Sequence, residues 1–494
     1  MDAKRSPGTE ISLPDNVVHL LLTVSNSSML DQALECLIRT AKSADGRSEL
    51  SSKDVVPAVV QLCKSLSCPS DRHLILLSLK LLRNLCAGEI MNQNSFLEEG
   101  GVGMTFGLVF NARVCPPFDF EIIRMGLQLL GNVVLAGVKH QHVVWNEFFI
   151  HEFHEIAKIQ TSKICDPLCM VLYMICNGTD GLQEELCSDK GILIVIEILK
   201  TATVDGFKED WLKLLFSRIC LDGSQFIPIF SKLHSVSVGI KVNNFSAEQA
   251  FLLSVLSEAL SERMKDFTVD SKFALSILQI LRAAHQIVDY SIRGNLSLPT
   301  SNAVVDVMGY SLLILRDICA RDYLIEHKES SMDVVDALLS DGLINLLIEL
   351  LHDLEPPALV RKAMNQGNLR EGITSQSYKC CPYKGFRRDI VSILGNCAYN
   401  RKRAQDEIRE KKGIVLLLQH SVADEDNPFL REWGIWSVRN ILENNAENQK
   451  IVADLELQGS IDVPEIAEIG LKVEVDPTTR RAKLVNISSR TASS

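Results

Sequence analysis

One triplet recurs along this chain at nearly even intervals: a hydrophobic residue, one further residue, then asparagine. It stands as Leu82-Arg83-Asn84, Leu130-Gly131-Asn132, Ile175-Cys176-Asn177, Leu394-Gly395-Asn396 and Val438-Arg439-Asn440, with Leu315-Arg316-Asp317 as a degenerate copy. Neighbouring copies are 48, 45 and 44 residues apart, and Asp317 to Asn396 spans 79, close to two units. A second mark keeps phase with the first, because Gln93, Gln141, Gln405 and Gln449 each lie nine residues after their asparagine. A third is a polar turn, a glycine and an apolar helix, at Gly101-Val102, Gly191-Ile192, Gly342-Leu343 and Gly413-Ile414. Apolar residues between the marks keep helical spacing, as in Leu74, Leu77, Leu81 and Leu85. A period of this length belongs to helical units that cannot bury their faces alone and so stack on one another.

The period and marks resemble the armadillo pattern, in which a long third helix ends in asparagine, a turn with glutamine follows, and glycine opens the next repeat. The expected fold is therefore all-α, an armadillo/HEAT-like α-solenoid with a right-handed superhelix. Residues 200–300 are too degenerate to phase. A length of 494 residues would otherwise suggest about three domains. Hydrophobic residues make up 46% and aromatics only 6%, which favours helices over a β-sandwich.

Composition excludes several classes. With 51 Lys and Arg against 62 Asp and Glu, the net charge of −11 argues against general nucleic-acid binding. No apolar stretch reaches the ~18 residues of a membrane span. The first apolar run, Val17 to Val24, reads as an amphipathic helix and not as a signal peptide. None of the fourteen cysteines forms a Cys-x-x-Cys pair, and most sit in apolar runs, so reduced core thiols of a cytoplasmic protein are expected. Phosphate-binding loops, nucleophile elbows and dinucleotide fingerprints are absent, so no enzyme and no cofactor are expected.

Two segments break the helical pattern. Residues 355–385 hold Pro356, Pro357, Gly367, Gly372 and Cys380-Cys381-Pro382, and read as a long loop. After Leu457 the chain reads either as a small hairpin, Leu471 to Val475 and Ala482 to Ile487 around Asp476-Pro477-Thr478-Thr479, or as a disordered tail. The expected organisation is thus 1–354 as degenerate repeats, 355–385 as a loop, 386–457 as C-terminal repeats and 458–494 as the tail.

The most specific stretch is 386–455. It runs through Phe386-Arg387-Arg388-Asp389-Ile390, Leu394-Gly395-Asn396, Ala404-Gln405-Asp406 and Asp424-Glu425-Asp426-Asn427-Pro428-Phe429, then Arg431-Glu432-Trp433, Val438-Arg439-Asn440 and Glu447-Asn448-Gln449. It resembles the C-terminal domain of the ataxin-10 family, of a plant-type or other non-animal member. The rest of the chain agrees with that family in its armadillo architecture. The resemblance implies a cytoplasmic protein with roles in cell division, cytokinesis and cell survival and a tendency to self-associate. Within the stretch, Asn427 suits an N-cap and Pro428 the first helical position. The helix from Pro428 to Glu443 is apolar on nearly all sides and is expected in the middle of a stack.

Peptide-binding armadillo proteins line their groove with a tryptophan four residues before each asparagine. Trp436 stands so before Asn440, and Tyr173 before Asn177, while the other copies carry Lys80, Gln128, Leu313 and Ser392. The candidate protein-binding residues are Trp436, Asn440, Trp433, Asn396, Tyr173, Asn177 and Arg439, with packing as their competing role. His140, His142, His151 and His154 with Glu152 and Glu155 match no metal template and are expected on a solvated helix face. The basic run Arg387, Arg388, Arg401, Lys402, Arg403, Arg409, Lys411 and Lys412 is interleaved with acids and reads as an ion-paired surface, or alternatively as a docking patch for an acidic partner. The function expected is a non-catalytic scaffold for other proteins and copies of itself. The alternatives are an armadillo-type regulator of a GTPase, as exchange factor or chaperone, or a peptide-binding transport adaptor.

Overall fold

A computed structural model describes residues 27–67, 69–178, 180–233, 245–263, 269–321, 333–366, 378–455, 471–475 and 482–486. The expected helix at Val17 to Val24, the thiol of Cys68, the turn at 476–479 and the last residues of the tail lie outside them. The chain divides into two compact units, residues 1–235 and 236–494. The break falls near residue 235, whereas the breaker-rich segment 355–385 lies inside the second unit.

Both units are built the same way. In the first, the helices Ser27–Thr40, Arg72–Leu85, Phe120–Val134, Ser162–Gly178 and Asp210–Ser217 pack each on the next. Further helices such as Ile90–Glu98 and Gly101–Val114 fill the connections, and the latter packs on Phe120–Val134. In the second unit the stacked helices are Ala247–Glu262, Ala303–Arg321, Phe386–Ala398 and Leu430–Leu442. This is the all-α, armadillo-type helical repeat. Within the described part of 200–300, Asp210–Ser217 runs on into a π-helical turn, Arg218–Asp222, and Ala247–Glu262 opens with a capping box from Ser246 to Gln249. Both helices stack without the asparagine mark.

The three sequence marks acquire physical meanings. The Asn132 amide donates to the Arg83 carbonyl at 2.8 Å, Asn396 to Arg316 at 3.2 Å and Asn440 to Gly395 at 3.0 Å. Each acceptor is the residue just before the marked position of the preceding stacked helix. The glutamines tie the other way. Gln93 donates to Cys86 at 3.0 Å and to Asn132 in the next helix at 2.8 Å; Gln405 donates to Ala398 at 3.3 Å and to Asn440 at 2.9 Å. Gln141 spans Val134 and Met174 at 3.4 and 3.3 Å. Such side-chain to main-chain bonds contribute about 1 kcal/mol each and fix the register between units. The glycines serve two purposes. Gly100 and Gly342 take φ of 68° and 80°, where a side chain is strained, but at the turn before Gly413 it is Lys412 that takes the left-handed conformation, with φ 58°. Gly413 is needed for space, since a Cβ there would meet Ile408 and Ile348 within 2.9 Å.

Several expectations change. The 355–385 segment is not simply a loop: Ala358–Gln366 is helical and Leu354 bridges to Lys379. Cys380 then donates to the Tyr290 carbonyl at 2.9 Å, Gly294 to Cys381 at 2.8 Å and Lys384 to Leu296 at 2.9 Å, so two irregular strands of backbone clamp each other. Cys381 and Tyr383 are buried there. Asn427 does not cap its own helix. Its Oδ1 accepts from the Arg387 amide at 2.9 Å, satisfying a buried main-chain donor at the N-terminus of the neighbouring Phe386–Ala398 helix. Leu471–Val475 and Ala482–Asn486 pair antiparallel, with Leu471 opposite Asn486. Among the described residues nine cysteines, Cys63 and Cys176 included, are buried, and burial pushes the thiols of these two up to about 12.

Candidate protein-binding surface

The Leu430–Leu442 helix starts after Phe429, whose backbone takes φ 64° and whose ring is 69% exposed. Leu430 and Ile441 anchor its inner face, and Gly434 lets it approach the preceding turn, where a Cβ would lie 2.8 Å from the His420 carbonyl oxygen. Ser437 donates to the Val391 carbonyl at 2.9 Å across to the Phe386–Ala398 helix. The helix is therefore not the all-round buried element expected from its composition. Ile435 is 56% and Trp436 49% exposed, and with Phe429 they leave an apolar face outside the stack. Arg439 lies over the Trp436 ring at 4.8 Å, a cation–π contact.

The predicted residues separate into two groups. Trp436 and Arg439 are exposed, Trp433 is half-buried and Asn440 is 1% exposed. The amide of Asn440 is committed to Gly395 and its Oδ1 is buried without a partner. Asn396 is half-buried and likewise bonded, to Arg316. These two asparagines work between repeats, while the tryptophan and arginine face outward. In the first unit Asn177 is exposed and Tyr173 half-buried; the Tyr173 ring packs 5.9 Å from Trp211 of the next stacked helix. Trp211 could not be singled out from the sequence, because its helix lacks the asparagine mark.

The basic run is mostly paired, but not all of it is solvated. Arg387 is buried, 3.6 Å from Asp424 and 3.3 Å from His420 Nε2. Burial beside that guanidinium lowers the His420 pKa to about 4, leaving a neutral ring whose Nδ1 donates to the Leu416 carbonyl at 2.7 Å. Arg388 clasps the buried Asp389, which also accepts from Tyr383 at 2.9 Å. Arg401 pairs with Asp333 at 2.5 Å, and Arg409 with Asp406 at 2.6 Å and Glu447 at 2.8 Å. Nor do the histidines share a solvated face. His140 and Glu152 are in the core, and Glu152 accepts both arms of the Arg113 fork at 2.9 and 2.8 Å. Among the described residues no helix is long and apolar enough to cross a membrane.

Comparison with known proteins gives a consistent result. Residues 386–484 match the family described as the Spinocerebellar ataxia type 10 protein domain. Ataxin-10 of Homo sapiens is 26% identical over 82% of this chain and 81% of its own length, and that of Bos taurus 25% over 82% and 81%. The ataxin-10 homolog of Dictyostelium discoideum is 40% identical over a shorter stretch, 19% of this chain and 15% of its own. Among solved structures, a designed armadillo repeat protein in complex with the peptide (KR)4 covers 50% of this chain and 98% of its own, at 13% identity and TM-score 0.33.

Proposed function

Because this chain belongs to the ataxin-10 family, we propose that it is a non-catalytic scaffold that binds proteins, including copies of itself, through the C-terminal repeats at 386–457. In this reading it works in the cytoplasm, in cell division, cytokinesis and cell survival. One observation carries the proposal: the last stacked helix and its N-cap turn Phe429, Ile435 and Trp436 outward while Ser437 and Asn440 are spent on the neighbouring repeat. An apolar face with an aromatic anchor and a flanking arginine has the composition of an interface centre. Two copies of it can meet about a two-fold axis, tryptophan against tryptophan.

Sedimentation velocity of the full chain over a concentration series tests this. Trp436→Ala with Ile435→Ser is expected to weaken association about tenfold or more while leaving the thermal midpoint within about 2 °C, since both side chains already face solvent. A large fall in the midpoint with association unchanged would show that these side chains serve packing instead.

A further inference from the structure

The second feature of interest lies in the first unit, on the stacked helices Arg72–Leu85 and Phe120–Val134. Lys80, Arg83 and Asn84 sit three and four residues apart, and Arg124 and Gln128 four apart, so each set shares a helix face. Arg83 donates from Nη1 to Gln128 Oε1 at 2.8 Å and from Nη2 to Asn84 Oδ1 at 3.1 Å. The first of these bonds crosses between the helices and holds the guanidinium one turn from Arg124. Lys80 and Arg124 are exposed and Arg83 is half-buried.

None of the three has an ion-pair partner among the described residues, although Asp166 on the next helix offsets Arg124 from one side. Partial burial and the like charge of Arg124 together lower the Arg83 pKa. The contrast with the C-terminal run is sharp, where Arg388, Arg401 and Arg409 each touch a carboxylate within 2.7 Å. A chain of net charge −11 thus leaves three cations of one face unpaired, two of them on neighbouring helices and one oriented by two neutral side chains. Like charges gathered without counter-charges cost stability, and a ligand of opposite sign removes that cost. We propose that this face docks an acidic segment of a partner protein, whose carboxylates are taken by Lys80, Arg83 and Arg124. The planar guanidinium suits a carboxylate fork, and three cations spread over two helices suit successive acidic side chains better than a single ion.

Fluorescence anisotropy with a labelled peptide of ten glutamates and the full chain tests the proposal. Saturable binding is expected, weakening as salt rises, with a ten-glutamine peptide not bound. Lys80→Ala with Arg124→Ala is expected to weaken it several-fold, two of the three cations being lost together. Arg83→Gln is expected to weaken it too, and Trp436→Ala to leave it unchanged, so this surface stands or falls apart from the C-terminal one. Unchanged helical circular dichroism certifies the variants. Three results would overturn the proposal: no saturable binding of decaglutamate, equal affinity of the double variant, or a phosphoserine peptide binding where decaglutamate does not. Decaglutamate dissociating a self-associated form would also overturn it, by assigning the face to a second copy.

Discussion

Asp317 occupies the place that asparagine holds in the other marked helices, and the exchange of one atom has consequences. Its Oδ1 accepts from Arg316 at 2.8 Å, but its Oδ2 is buried without a partner. An amide there would have a donor to offer to the preceding helix; a carboxylate has none. Burial raises the Asp317 pKa more than Arg316 lowers it. A carboxyl group with a raised folded pKa favours folding at low pH and loses that advantage as pH climbs past the unfolded value of about 4. Asp317→Asn is therefore expected to raise the unfolding free energy from urea titration at neutral pH by about 1 kcal/mol, and the gain should shrink as pH falls toward about 4. Equal stability of the two proteins at neutral pH would show that the Arg316 pair already offsets the burial.

At the level of the element, the Leu430–Leu442 helix shows how much a glycine can govern. A Cβ at Gly434 would lie 2.8 Å from the His420 carbonyl oxygen and from Ser421 Cα, both main-chain atoms with little freedom to retreat. Gly434→Ala gains helix propensity of about 1 kcal/mol, yet overpacking against backbone costs about 1–3 kcal/mol. A net loss in denaturant midpoint is expected, and a gain would mean that the turn at 420–421 yields. This helix also marks what the sequence made legible. Its existence and its stacking partner's mark follow from periodicity and spacing, while the outward Trp436 does not, because its apolar composition placed the helix inside the stack. Its boundaries do not, because Asn427 spends its oxygen on the Arg387 amide, 40 residues away in sequence, and so leaves the cap that local chemistry assigned to it. The Ala358–Gln366 helix was hidden by the prolines and glycines on either side, and the clamp between 290–296 and 380–384 by being main chain to main chain, which no residue type announces. The exposure of Ile435 and Phe429 was equally illegible, since composition cannot tell an internal helix from one at the edge of a stack.

Across each unit, stability passes from helix to helix, because every stacked helix touches mainly the one before and the one after. Within the second unit, Ala303–Arg321 and Phe386–Ala398 are packed on both flanks. The Ala446–Ala453 helix follows the last of the stack and has a single buried residue, Asn448. Native-state hydrogen exchange is expected to be fastest in Ala446–Ala453, slower in Leu430–Leu442 and slowest in the two inner helices. Uniform protection across all four would show a single cooperative block. The side-chain to main-chain ties between units carry a further consequence. An asparagine or glutamine that grips a carbonyl is indifferent to the side chain of the residue it grips, so the obligation falls on the donor alone. Such a ladder asks for about two fixed letters in some forty-five and leaves the acceptor positions free to vary, which gives a scaffold room to change its surface chemistry while keeping its register.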